Sequence, residues 1–444
     1  MPTTDNHLVK EMIDRLNDPQ YTRWATQIRA NGGCLQPIHL RGRVLHIDPS
    51  TGAVVHRYTT LTEPGGVLRV ACKTRRASRC PSCAATYRAD TYHLIRAGLI
   101  GGKGVPASVA EHPAVFVTLT APSFGLVHTR ALDKRGQTMP CRARRETTTC
   151  AHERPLACPL RHSADDPRLG EPLCTDCYDY TGSILFNALA PQLWHRFVEA
   201  LRRHLSRNGG LTVREFRQQA VISFAKVAEY QKRGVVHLHA IIRIDGPDGP
   251  TSTPPRWVTL ELLAHAIAHA YRAVSITTPT ATDLPSRQLR WGQQIDIQPI
   301  TADGDLSESA VAAYVAKYAT KAAESVGVLD RPIYPLEDLA ALHLRPHARR
   351  LIAECLRLGV LDELADLRLT AWAHMLGFRG HFSTRSRHYG PTLGDLRAIR
   401  AEHQRRNETP PDDTVSVISQ WAYAGRGLSA GDRVIAVSLR NGTP

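Results

Sequence analysis

The sequence predicts an α+β fold: a central antiparallel sheet with flanking helices and zinc-stabilised insertions. Three observations carry this. Strand-like and helical stretches follow one another in mixed order, without the regular alternation a parallel doubly wound sheet needs. A hydrophobic content of 42% over 444 residues is enough for sizeable cores. Two C-x-x-C pairs occur, and the second lies in a segment, 130–180, that lacks clear periodicity, as expected where a metal replaces a core.

The elements read in order as follows. Residues 9–30 are helical, residues 38–47 and 66–70 are short β-like runs, and a basic cysteine segment spans 72–83. Residues 87–99 read as a helix closed by Gly101 and Gly102. The β-branched run 114–120, stopped by Pro122, reads as a buried strand. Helix 184–205, strands 220–228 and 235–244, helix 260–274, strand 294–300 and helix 308–325 follow. Leu/Arg-rich helices are expected over 336–376, then a basic segment and a Pro-rich linker around 409–411. The expected domains are a zinc-containing region at 1–110, a catalytic domain at 111–330 with a zinc-binding insertion at about 134–180, and a helical, basic region at 331–444.

Charge narrows the function. Against 41 acidic residues stand 56 Lys and Arg, a net +15, which favours a polyanionic partner. No stretch approaches the roughly 18 apolar residues of a membrane span. Residues 1–10 are polar and carry no signal-peptide core, so a cytoplasmic protein is expected. Cysteines in that reducing compartment are better suited to metal than to disulfides. Cys80-Pro81-Ser82-Cys83 and Cys174-Thr175-Asp176-Cys177 each place two thiolates within reach of one tetrahedral Zn(II). Two structural zinc ions are expected, one on Cys34, Cys72, Cys80 and Cys83, the other on Cys150, Cys158, Cys174 and Cys177, with His162 as a substitute ligand. Buried free thiols are the alternative.

The chemistry concentrates in two segments. In the strand around residue 238, alternation puts His237, His239, Ile241 and Arg243 on one face and Val236, Leu238, Ala240 and Ile242 on the other. The second face must be core, so the first presents two aligned imidazoles. With Glu229 just before the preceding turn, they form a three-ligand set suited to Mg(II) or Mn(II). In the helix 311–321, Tyr314, Lys317, Tyr318 and Lys321 share one face, and Ala312, Val315, Ala316 and Ala319 share the opposite one. The small apolar face suits close packing on a sheet and leaves tyrosines and lysines in a common space. A metal strand beside a tyrosine helix describes phosphoryl transfer from DNA to tyrosine. Structural histidines and core tyrosines with snorkelling lysines are the competing reading.

At this point the chain resembles the HUH endonucleases of rolling-circle replication, and most of all the RepSA-type plasmid initiators of actinomycetes. Residues 116–120 (FVTLT) are similar to the first family motif, and His237-Leu238-His239 to the histidine–hydrophobe–histidine motif. Val311-x-x-Tyr314-x-x-Lys317 and Val315-x-x-Tyr318-x-x-Lys321 are similar to the third, in two overlapping copies. The resemblance extends to segments 72–83, 172–180 and 377–384. It implies an HUH endonuclease-like fold and a nicking-closing plasmid initiator, with Tyr314 and Tyr318 as nucleophiles, Lys317 and Lys321 beside them, and a 5′-phosphotyrosine link to single-stranded origin DNA. Glu229 matches the family's third metal ligand by position.

Arg243, Arg379, Arg385 and Arg387 are the expected DNA contacts, with 142–145 and Phe382 as further candidates for backbone contact and stacking. No G-x-x-x-x-G-K-[ST] occurs, so strand separation is left to a host helicase and the replication machinery. An HUH transposase or relaxase shares the same motifs, and a non-catalytic, zinc-stabilised DNA-binding regulator is the alternative of a different class.

Overall fold

In the computed structural model, which describes residues 3–143, 149–281, 284–300, 307–319, 331–333, 339–405 and 415–442, the chain forms two compact units. One comprises Met1–Thr91 and Thr392–Pro444, the other Tyr92–Pro391. The strands in both are antiparallel, and the mixed α+β class matches the expectation. The three-part division read in the sequence does not coincide with these units, because residues after 391 return to pair with the first strand.

The N-terminal unit begins with α1 (Thr3–Leu16) and α2 (Tyr21–Ala30). The single helix expected over 9–30 is broken at Pro19, where Asp18 Oδ1 accepts from the Gln20 amide at 2.8 Å. Strand β1 (Ile38–Ile47) pairs with β2 (Val54–Thr59) and β3 (Leu68–Val70), and α3 (Pro81–Ile100) starts at the C-x-x-C pair.

The larger unit is built on β4 (Ala114–Leu119), β5 (Val221–Tyr230), β6 (Val236–Asp245), β9 (Ile295–Pro299) and β10 (Ser383–Arg385), in the order β10-β5-β6-β4-β9. Its helices include α4 (Tyr180–Asn208), α5 (Val213–Gln219), α6 (Leu260–Ala273), α7 (Glu308–Ala319) and α8 (Pro346–Leu358). A two-rung ladder joins β7 (Ile276–Thr277) to β8 (Gln288–Leu289). Val236, Leu238, Ala240 and Ile242 are buried in the core with residues of α4, α6 and α8. The β5–β6 hairpin turns at Gly234, whose φ of +77° suits glycine. Buried Asn187 of α4 pins that turn: its side-chain amide donates to Gly234 O and Leu376 O, both at 2.9 Å, and its Oδ1 accepts from Val236 N at 2.9 Å.

On the opposite face, Arg243 is fully buried, which corrects its assignment as a DNA contact. Its guanidinium donates to both carboxylate oxygens of Asp245, at 2.6 and 2.7 Å, and to Gly98 O and Tyr389 O. Ser223 and His112 complete the Asp245 shell. Alternation placed Arg243 on the histidine face correctly, but Tyr389 and α3 cover that end of the strand. A Cβ at Gly98 would lie 2.3 Å from the Tyr389 ring, so glycine there is a packing requirement.

Between 336 and 376 the described residues hold one α-helix, α8, and two 3-10 turns ending at Arg368 and Leu376, both in the left-handed region. The rest of the N-terminal unit is α9 (Leu393–Arg405), β11 (Ser416–Arg426) and α10 (Ala430–Asn441). The linker around 409–411, and residues 320–325 of the helix expected to end at 325, lie outside the described residues.

Candidate active site and metal centres

Register assembles the first site. Glu229 on β5 is directly across from His237, and His239 is flanked by Val227 on one side and Thr118 on the other. Glu229 Oε2 is 3.0 Å from His237 Nε2 and 3.2 Å from His239 Nε2. Two atoms each about 2.1 Å from a cation, in adjacent octahedral positions, are about 3.0 Å apart, so the spacing fits one Mg(II)- or Mn(II)-sized ion. His239 is buried, and its Nδ1 lies 3.0 Å from Thr118 Oγ1, which leaves Nε2 facing Glu229. His237 Nδ1 is buried without a hydrogen-bond partner among the described residues.

Helix α7 packs against β5 through its small face: Val311, Ala312, Val315 and Ala316 are all buried. Tyr314 and Tyr318 are thereby set over the histidines. Their ring centroids lie 5.1 and 5.2 Å from that of His239 and 4.5 Å from each other. Phe116 stacks on His239 at 5.9 Å and meets Tyr314 edge-on at 5.5 Å. Burial pushes the Tyr314 hydroxyl above the usual phenol range, helped by its hydrogen bond with Tyr318 and the charges of Glu229 and Asp296. Lys317 Nζ lies 5.7 Å from the Tyr318 ring centroid. Lys321 falls outside the described residues.

Among the described residues three groups of cysteine and histidine converge, where two were expected. Cys34, Cys72, Cys80 and Cys83 form the first, as read in the sequence. The second assignment is corrected: Cys150, Cys174 and Cys177 meet His152, while Cys158 joins His128, Cys141 and His162. The spacings suit tetrahedral zinc. Sulfurs at about 2.3 Å from one ion are about 3.8 Å apart, a sulfur and a nitrogen about 3.6 Å, and two nitrogens about 3.4 Å. Cys34 and Cys80 Sγ are 3.9 Å apart, Cys158 Sγ and His162 Nε2 3.6 Å, Cys174 Sγ and His152 Nδ1 3.7 Å, and His128 Nδ1 and His162 Nε2 3.2 Å.

Behind this last group, Asp166 Oδ2 sits 2.7 Å from His162 Nδ1, and Arg168 together with His162 holds the Asp166 carboxyl well below the usual range. In chain order residues 128–177 supply the pairs His128/Cys141, Cys150/His152, Cys158/His162 and Cys174/Cys177. Pairs one and three share one site and pairs two and four the other. Such interleaving is invisible to a reading that groups neighbours, which is why the sequence groups Cys158 with Cys150 and leaves His128, Cys141 and His152 unassigned. The insertion also braces the β5–β6 turn, where Lys232 Nζ donates to Ala164 O at 2.7 Å.

The expected DNA contacts fare differently. Arg379 and Arg387 are exposed, Arg379 donating to Asp366 O. Arg385 is half-buried and bonded to Ser386 O and Arg387 O, both at 2.9 Å. Phe382 is buried beside Tyr230 and Phe378 and is not available for stacking. Arg142 donates to Val127 O at 3.0 Å, and residues 144–145 lie outside the described residues. No helix among the described residues is long and apolar enough to cross a membrane.

Comparison with known proteins identifies the family. Residues 20–441 match the family described as RepSA, replication initiator protein, pSAM2. The chain is 48% identical over 458 residues to a replication initiator protein of Streptomyces ambofaciens, covering 99% of this chain and 94% of that one. No solved structure matches. With the family match spanning nearly its whole length, the chain belongs to the RepSA family of replication initiator proteins.

Proposed function

We propose that the protein initiates rolling-circle replication of a plasmid, nicking one strand of the origin through a tyrosine and rejoining that strand at termination. Family membership supports the initiator role. The observation that carries the chemistry is the convergence of Glu229, His237 and His239 on one cation-sized space, with the Tyr314 and Tyr318 rings set against His239. Glu229, His237 and His239 hold a divalent cation, which supplies Lewis-acid polarisation of the scissile phosphate. Thr118 keeps the His239 ring oriented.

A tyrosine oxygen attacks phosphorus as the P–O3′ bond breaks. The tyrosine proton ends on the released 3′-hydroxyl, and the 5′-phosphate stays on the tyrosine. The reverse attack by a 3′-hydroxyl rejoins the strand. Lys317, and Lys321 in the second copy of the motif, offset charge developing on the phosphate. The fold is an HUH endonuclease-like sheet, the cysteine–histidine groups bind structural zinc, and Arg379, Arg385 and Arg387 contact the single strand. Host helicase and replication proteins act with it in the cytoplasm.

The test is cleavage of a single-stranded origin oligonucleotide with Mn(II), read as a covalent adduct on a denaturing gel. The wild type forms the adduct. His237→Ala and His239→Ala abolish it while salt-sensitive DNA binding persists, since affinity comes mainly from basic residues at the phosphates. Full nicking by the double histidine variant would refute the assignment.

A further inference from the structure

We infer that the ribbon formed by β11, β1 and β2 in the N-terminal unit binds the phosphate backbone of duplex DNA. This rests on the proposed function only in taking DNA as the partner, and it assigns a role to a surface in a unit that does not contain the tyrosine site.

An antiparallel sheet ordinarily packs one face on a core and shows the other to water. Along most of this ribbon both faces are open. Arg41, Arg43 and Arg57 are exposed, and so are Val55 at 58%, Val417 at 59% and Tyr423 at 68%. Every residue of β11 is exposed except Gly425. A solvated sheet that retains large apolar side chains on its surface marks an interaction site.

The chemistry of the ribbon selects a polyanion. The three strands carry four arginines (Arg41, Arg43, Arg57 and Arg426), three histidines (His39, His46 and His56) and no Asp or Glu. No acidic side chain forms an ion pair with Arg41, Arg43 or Arg57 among the described residues. The two acids nearest the strands in the chain are engaged elsewhere: Asp48, in the β1–β2 turn, accepts from the Ser50 amide and hydroxyl at 2.8 and 2.6 Å, and Glu63, beyond β2, is buried and engaged by Gln27 and Arg23.

Register sorts the side chains. Arg43 is opposite Gln420 and Thr59, and Arg57 is opposite Leu45, so Arg41, Arg43 and Arg57 share one face with Gln420 and Thr59. Trp421, Tyr58 and the His46–His56 pair occupy the other face. Arg43 Nε donates to Gln420 Oε1 at 3.1 Å, a neutral partner that orients the guanidinium without cancelling its charge. Beside them is an open concavity of about 580 Å³ lined in part by Arg41, Arg43, Thr59, Leu61 and Gln420. Arg41 and Arg43 are about 6.8 Å apart along the strand. That is twice the axial rise of about 3.4 Å per phosphate on one DNA strand, so both reach the same backbone. A second copy of the chain would bring an equally basic ribbon against this one.

The experiment uses the full chain and a fluorescein-labelled, random-sequence 30-base-pair duplex, with anisotropy titrations at several salt concentrations. The triple variant Arg41→Ala/Arg43→Ala/Arg57→Ala binds at least about tenfold more weakly near physiological salt. The slope of log K against log salt falls in magnitude by about 2 to 3. Arg41→Lys/Arg43→Lys/Arg57→Lys keeps most of the slope, and both triple variants cleave a short single-stranded oligonucleotide as the wild type does. Wild-type affinity and slope in the alanine variant would overturn the inference. An equal loss in the lysine variant would also overturn it, by showing a structural role. Sedimentation showing that the alanine variant loses a dimer while its DNA slope is unchanged would assign the ribbon to a second copy instead. Tyr314→Phe/Tyr318→Phe keeps duplex binding, so failure of the nicking chemistry and failure of this inference are distinguishable.

Discussion

Thr118 on β4 stands directly across from His239 on β6, with its Oγ1 3.0 Å from the His239 Nδ1. A ring nitrogen held in this way fixes the tautomer and turns the other nitrogen toward Glu229, where the proposed cation would sit. Thr118→Val keeps the shape of the side chain and removes only the hydroxyl. It should raise the Mn(II) concentration needed for half-maximal cleavage by about 10- to 100-fold, with activity recovering at saturating Mn(II). An unchanged Mn(II) dependence would show that His239 needs no orienting partner.

The two tyrosines are four residues apart, a rise of about 6 Å and a rotation of roughly 40° around the axis, and their rings lie nearly equally far from His239. Rolling-circle replication needs a second cleavage while the first 5′ end is still covalently held. Either single Tyr→Phe variant should therefore retain some cleavage of a short oligonucleotide, both should impair strand transfer, and the double variant should form no adduct. Peptide mapping of trapped adducts is the check, and DNA found on one position alone would remove the case for alternation.

Purified protein should contain about three zinc ions per chain, one for each converging group. Cys158→Ser should lower the content to about two and leave the Cys150, His152, Cys174 and Cys177 site loaded. Grouping by proximity in the chain makes the opposite claim, that Cys158 shares an ion with Cys150. Metal analysis of Cys158→Ser and Cys141→Ser separates the two: only in the interleaved arrangement do both remove the same ion.

Lys226 is buried on the core side of β5, its Nζ 5.4 Å from the Trp194 ring centroid, and burial pulls its ammonium down to about 8. The folded-state value lies below the unfolded one. The cost of burying the charge is therefore fully present below pH 8 and fades as pH rises toward 10.5. A shift of this size corresponds to about 3 kcal/mol. Lys226→Met should raise stability against urea at pH 7 by about that order, with the gain shrinking toward pH 10. A less stable variant at pH 7 would mean that the lysine charge is compensated in the fold.

Much of the candidate site is local and so is legible in the chain. Strand alternation alone separates His237 and His239 from Val236, Leu238, Ala240 and Ile242, because successive side chains point to opposite faces whatever the sheet around them. Helical periodicity likewise puts Tyr314 and Tyr318 on one face, opposite Ala312, Val315 and Ala316. The first cysteine group was also recoverable, since Cys80 and Cys83 share one turn and Cys34 and Cys72 immediately flank the strands that bring them together.

Tertiary structure decided whatever depends on partners distant in the chain. Arg243 lies on the same face as the histidines, yet Gly98 and Tyr389, each about 145 positions away, turn it from a surface cation into a buried ion pair. Strand β11 is not legible in the sequence because neither of its faces is buried, so it has no core-facing stripe, and its partner β1 lies hundreds of residues earlier. Cys158 and His162 join His128 and Cys141 across the ligands of another site, a choice set by how the insertion winds and not by spacing. Periodicity reports the direction in which a side chain points. What meets it there is settled by chain segments whose approach no local pattern encodes.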